Sequence, residues 1–81
     1  MLIVDDNRDL AQGMARLLRA MGHRVELAHD GPEGIEVARR LRPGVVLLDI
    51  GLPTLDGYQV AQTLRREEGL RDTRLIAITG Y

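Results

Sequence analysis

The sequence contains no cysteine and no lysine. Without cysteine there is no disulfide framework, so a small stapled secreted scaffold is excluded and the expected compartment is the cytoplasm. All eleven basic residues are arginines, so the lysine of a phosphate-binding P-loop is missing. No Gly-x-Gly-x-x-Gly follows an apolar run either, which argues against a nucleotide-binding domain. Charge of one sign is also lacking, with eleven basic residues against twelve acidic ones. That balance gives no electrostatic case for nucleic acid or a membrane surface as partner. No apolar run approaches the roughly 20 residues of a spanning helix. The opening Met1-Leu2-Ile3-Val4-Asp5-Asp6 turns from apolar to acidic and is not a signal peptide. What is left is one small domain of 81 residues, with ordinary globular composition and marginal stability.

The chain then divides into alternating elements. Leu2-Ile3-Val4 is a short apolar run ended by two aspartates and reads as a buried strand. Asn7 can cap a first helix, with Asp9 in its first turn and Gly22 as its stop. Leu10, Met14, Leu17, Leu18 and Met21 recur at helical spacing and predict its core-facing stripe. Val25-Glu26-Leu27 alternates as a half-buried edge strand does. Asp30-Gly31-Pro32-Glu33 is a helix start with the elements of a capping box, and Pro43-Gly44 closes that helix. Val45-Val46-Leu47-Leu48 is continuously apolar, as suits a strand covered on both faces, and ends at Asp49. Asp56 can cap a third helix with Val60, Ala61 and Leu64 inward, and Leu75-Ile76-Ala77-Ile78 is a fourth buried strand. Arg65-Arg66-Glu67-Glu68 reads as a solvated helix end, and His23 and His29 as surface residues flanking the second strand.

Strands alternating with helices predict an α/β fold with a parallel sheet. Right-handed crossovers are satisfied if the first strand lies between the second and third, with the fourth outside the third. The order is then 2-1-3-4, with the first helix alone on one face and the next two on the other. The direction of winding switches between strands one and three, and ligands of such sheets bind at the carboxyl ends of strands at the switch. Those ends carry Asp5, Asp6 and Asp49.

Three carboxylates at one sheet edge repel one another, and a hard divalent cation relieves the repulsion. Mg2+ takes oxygen ligands of this kind, and a carboxylate can also attack phosphorus to give an acyl phosphate. Thr79, at the end of the fourth strand, carries a hydroxyl able to donate to a phosphoryl oxygen, and Gly80 leaves room for one.

Four stretches together resemble the receiver domain of response regulators in two-component signalling. They are Leu2 to Asn7, Leu47-Leu48-Asp49-Ile50-Gly51-Leu52-Pro53, Leu55-Asp56-Gly57 and Ile76-Ala77-Ile78-Thr79-Gly80. The variant with Gly51 and Gly80-Tyr81 is similar to receivers fused to hybrid histidine kinases. The resemblance implies a flavodoxin-like receiver fold over residues 1–81 and a role in phosphorelay signal transduction. It implies that Asp49 accepts a phosphoryl group from a histidine on a kinase or phosphotransfer domain. It also implies that Asp5, Asp6, Asp49 and the Gly51 carbonyl hold Mg2+, and that Thr79 is the switch hydroxyl. Such a chain is a self-acting phosphoacceptor rather than a conventional enzyme.

Receivers continue with a further helix, a strand ending in a lysine, and a last helix, so this sequence reads as an incomplete domain. The lysine expected to contact the phosphoryl group is absent, which keeps open the alternative of a receiver-like binding module that no longer accepts phosphate. Self-association through an uncovered sheet face or edge is a further expectation. An aspartate-nucleophile phosphatase of the haloacid dehalogenase type is disfavoured. It needs a second aspartate two residues after the nucleophile, where Asp5 is followed by Asp6 and Asn7.

Overall fold

In the computed structural model, residues 1–50 and 57–78 are described. The elements are β1 (Leu2–Val4), α1 (Arg8–Ala20), β2 (Glu26–Ala28), α2 (Gly31–Leu41), β3 (Val45–Asp49), α3 (Gly57–Arg66), a 3-10 turn (Glu68–Leu70) and β4 (Arg74–Ile78). The four strands form one parallel sheet in the order β2-β1-β3-β4, as the crossover rule requires.

The helix ends follow the local chemistry. The Asn7 side chain accepts the Leu10 amide and starts α1. The helix stops where Gly22 takes a φ of 96°, a left-handed conformation that costs glycine little. Asp30 caps α2 by accepting the Glu33 amide, while the Glu33 carboxylate reaches back to the His29 amide. The reciprocal half of the capping box thus lands one residue earlier than usual. At the far end of α2 the left-handed residue is Arg42, one position before the predicted Pro43-Gly44 stop. The second strand likewise begins at Glu26, with Val25 buried just before it.

Strand alternation assigns each face its core. Leu2, Val4, Val46 and Leu48 pack with Ile35, Val37 and Ala38 of α2 and with Val60 and Leu64 of α3. Ile3 points to the other face, where it meets Ala11 and Ala15 of α1, with Met14, Leu18, Leu27 and Leu47 packed around them. Two expectations are corrected here. The first is the α1 stripe: Met14 and Leu18 pack against the core as expected, but Leu10, Leu17 and Met21 are exposed, and the fully buried positions of the helix are the small Ala11 and Ala15. A helix lying close on a sheet seats small side chains beneath its axis, which turns the larger apolar ones to its flank. The second is the covering of the outer strands. On β3, Val45 and Leu47 are only half-buried, and on β4 Ile76 is 49% exposed, so these strands are not covered on both faces.

The passage into β4 is fastened by polar contacts. Thr73 is buried, and its hydroxyl donates to the Pro43 carbonyl at 2.8 Å. The Arg65 guanidinium donates to the carbonyls of Arg71 and Thr73. These bonds hold β4 beside β3 in the register that pairs Asp49 with Ile78.

Candidate functional site

Asp5 follows β1 and Asp49 ends β3. Because Val4 pairs with Leu48, the residues that follow, Asp5 and Asp49, stand side by side at the carboxyl edge of the sheet. By the alternation of the strands both belong to the α1 face, with Ile3 and Leu47. Asp6 adds a third carboxylate from the loop into α1. One oxygen from each of Asp5, Asp6 and Asp49 lies within 4.8 Å of the others. Asp5 is buried, Asp49 half-buried and Asp6 exposed, so the cluster grades from core to solvent.

Asp5 is the most constrained of the three. Its carboxylate accepts the Asn7 amide at 2.9 Å, and its own amide donates to the Ala28 carbonyl at 3.0 Å. Burial pushes the Asp5 carboxyl above its ordinary range, and the nearby charges of Asp49 and Asp6 push the same way. The Asn7 amide opposes them. A protonated Asp5 would donate to the Asp49 carboxylate. Crowding of the three carboxylates thus adds to burial in disfavouring the charged form of Asp5. That is the condition a small hard cation relieves, and an all-oxygen donor set is the kind Mg2+ takes.

The structure thus brings together three of the residues singled out in the sequence, namely Asp5, Asp6 and Asp49. Gly51, Asp56 and Thr79 lie outside the described residues. One neighbour of the site was not anticipated. His29, read as a surface residue, places its imidazole Nδ1 3.2 Å from the Asp5 carbonyl oxygen. It lies 24 positions away in sequence, and only the β1–β2 register reveals the proximity: Val4 pairs with Ala28, so Asp5 and His29 come next to each other. A groove of about 580 Å3 between α3 and β4, lined by Tyr58, Ala61, Gln62, Arg65, Arg66 and Leu75, contains none of the acids.

Comparison with known proteins gives this geometry a context. The sequence profile of the response regulator receiver domain matches residues 1–81. The response regulator MprA of Mycobacterium ulcerans is 44% identical over 64 residues, which are 79% of this chain and 28% of that protein. The MprA of Mycobacterium tuberculosis is 42% identical over the same length. Among solved structures, the N-terminal domain of a response regulator receiver protein from Methanoculleus marisnigri superposes with a TM-score of 0.92 at 28% identity. It is matched over 99% of this chain and 65% of its own. The receiver domain of the sensor histidine kinase PA1611 from Pseudomonas aeruginosa superposes with a TM-score of 0.90 at 37% identity, over 96% of this chain and 64% of its own. That structure holds a magnesium ion coordinated in the active-site cleft. The chain spans under a third of the length of the curated relatives named here, and just under two thirds of these solved neighbours. Profile, relatives and superposition agree, and the chain belongs to the response regulator receiver domain family.

Proposed function

We propose that this chain accepts a phosphoryl group on Asp49 from a phosphohistidine of a kinase or histidine phosphotransfer domain, with Mg2+ held by Asp5, Asp6 and Asp49. The observation that carries the reading is the convergence of those three carboxylates where β1 and β3 end. In the transfer, a carboxylate oxygen of Asp49 forms a bond to phosphorus as the phosphorus–nitrogen bond to the donor histidine breaks. The imidazole departs with its electron pair, and Asp49 is left as an acyl phosphate. When bound, Mg2+ offsets the negative charge that gathers between the carboxylates and the phosphoryl oxygens. Asp49 is half-buried and so open to an incoming donor, whereas Asp5 is sealed beneath it and suited to holding rather than attacking. The Gly51 carbonyl as a further ligand and Thr79 as the switch hydroxyl belong to the same proposal. So does a cytoplasmic setting, in keeping with a chain in which no described helix is long and apolar enough to cross a membrane.

Incubation with acetyl phosphate and Mg2+, followed by intact mass measurement, tests this reading. The native chain is expected to gain one phosphoryl mass, and Asp49→Ala to gain none. A stable phosphoryl gain on Asp49→Ala would remove Asp49 as acceptor. Mg2+ binding without any phosphoryl gain on the native chain would favour the phosphorylation-incompetent binding module instead.

A further inference from the structure

Asp5 lies between the beginnings of two helices. On the α1 side its carboxylate accepts the Asn7 amide, the residue that caps α1. On the α2 side its peptide is gripped twice. Its N–H donates to the Ala28 carbonyl, and its carbonyl oxygen lies 3.2 Å from His29 Nδ1. A carbonyl oxygen can only accept, so this bond needs the imidazole hydrogen on Nδ1.

The sheet pattern explains why a side chain takes this place. In the β1–β2 ladder the Glu26 amide donates to the Met1 carbonyl, and the Ala28 carbonyl accepts from Asp5. Alternation along β2 would next bring in the Asp30 amide for the Asp5 carbonyl. However, β2 ends at Ala28, because Asp30 turns away to cap α2. The imidazole stands where the ladder would have continued. His29 is itself held from α2, since its amide donates to the Glu33 carboxylate at 2.8 Å. A chain of bonds therefore runs from the α2 cap through His29 to the Asp5 peptide, and across that residue to the α1 cap.

We propose that His29 is a positioning residue for the acidic site, holding the Asp5 peptide so that its carboxylate stays aimed at Asp49 and Asp6 for Mg2+. The inference rests on the phosphoacceptor reading above and adds a residue to it. His29 touches neither the ion nor the reacting atoms in this account and acts only through Asp5. Groups that orient a metal ligand from behind commonly alter metal affinity by about 10- to 100-fold when removed.

Three substitutions test it. His29→Asn sets an amide donor where Nδ1 stands. His29→Gln keeps polarity but carries its donor one bond further out, and His29→Leu removes the donor. Mg2+ affinity by titration calorimetry and amide exchange at Asn7 in the metal-free protein are the readouts, with thermal unfolding to verify the fold. Binding by His29→Asn close to the native value is expected. His29→Gln and His29→Leu should bind about tenfold or more weakly, with faster exchange at Asn7. Equal affinity in all four proteins would overturn the positioning role while leaving the site intact. Equal loss in the Asn and Gln variants would overturn it too, by showing a requirement for the ring rather than the donor. If the native chain bound no Mg2+, this inference and the phosphoacceptor reading would fall together. Should His29→Leu fail to fold, the contrast between Asn and Gln decides the matter alone.

Discussion

Gly57 and Ile50 meet backbone to backbone: a Cβ on Gly57 would stand 2.5 Å from the Ile50 Cα and 2.8 Å from the Asp49 carbonyl oxygen. The first residue of α3 is therefore pressed against the peptide that follows Asp49, and only a residue without a side chain fits there. The fit of α3 and the placement of Asp49 are one geometric fact.

Gly57→Ala is accordingly expected to push the end of β3 away from α3. Forcing a methyl group into a filled site commonly costs about 1–3 kcal/mol, and here the displaced atoms belong to Asp49 and Ile50. Denaturant unfolding should show the loss, and Mg2+ titration should show weaker binding in the variant. A change in stability below about 0.5 kcal/mol, the usual size of an uncritical surface substitution, would contradict the close approach.

Asp5 gives the stability of the metal-free chain a pH-dependent contribution. Its folded pKa is raised above the ordinary 3.8 by burial and by its acidic neighbours. Between the unfolded and folded values the native chain holds a proton that the unfolded chain has released, so stability falls as pH rises through that window. Asp5→Asn removes this penalty. The variant is expected to melt higher than the native chain at neutral pH in a chelator. Added Mg2+ should stabilise the native chain and have much less effect on the variant. Melting curves across pH, with and without Mg2+, check both statements. A native chain that grew more stable over the same rise in pH would refute the raised pKa.

Asp6 is exposed and lies outside the ladder. Asp6→Ala should therefore leave unfolding almost unchanged while weakening Mg2+ binding, and phosphoryl gain on Asp49 should become slower without being abolished. Time courses under acetyl phosphate at two Mg2+ concentrations would reveal this, because excess Mg2+ should restore part of the rate. No recovery at high Mg2+ would assign Asp6 a role other than ligand.

The exposed apolar residues predict self-association. Leu17 and Met21 of α1 are 64% and 65% exposed, and Ile76 of β4 is 49% exposed. Arg19 leans toward β2, donating to the Val25 carbonyl, so the flank opposite it faces the β3–β4 side where Ile76 lies. Apolar surface of this kind is worth about 25 cal/mol per Å2 when removed from water. Light scattering after size exclusion should show species larger than a monomer at high concentration, and Leu17→Glu with Ile76→Lys should shift the population toward monomer. A native chain that stays monomeric throughout would disprove the expectation.

Much of this was legible in the sequence, for reasons that particular residues show. Asn7 and Asp30 announce their helices because capping is a local matter of one side chain and a few amides. The strand order follows from crossover handedness, and the order in turn brings Asp5 beside Asp49. The flank of α1 was not legible. Leu10 and Ala11 differ in hydrophobicity in the opposite sense to their burial, because closeness to the sheet selects for size. His29 was hidden for another reason: its value depends on a register between strands, and a shift of one residue would have sent it elsewhere. Thr79 and Gly51 lie outside the described residues.

The sheet also divides the chain into two layers of unequal depth. On one side Val60, Leu64, Ile35 and Ala38 close over Val46 and Leu48. On the other, α1 rests on small side chains, and Asp5 and Asp49 open onto that thinner layer. The deep layer serves as ballast. Substitutions among those apolar side chains bear on how firmly the chain folds, and the same layer reaches the acidic edge at Gly57, pressed against Asp49 and Ile50. Folding strength and the acidic edge are thus linked through the deep layer at Gly57.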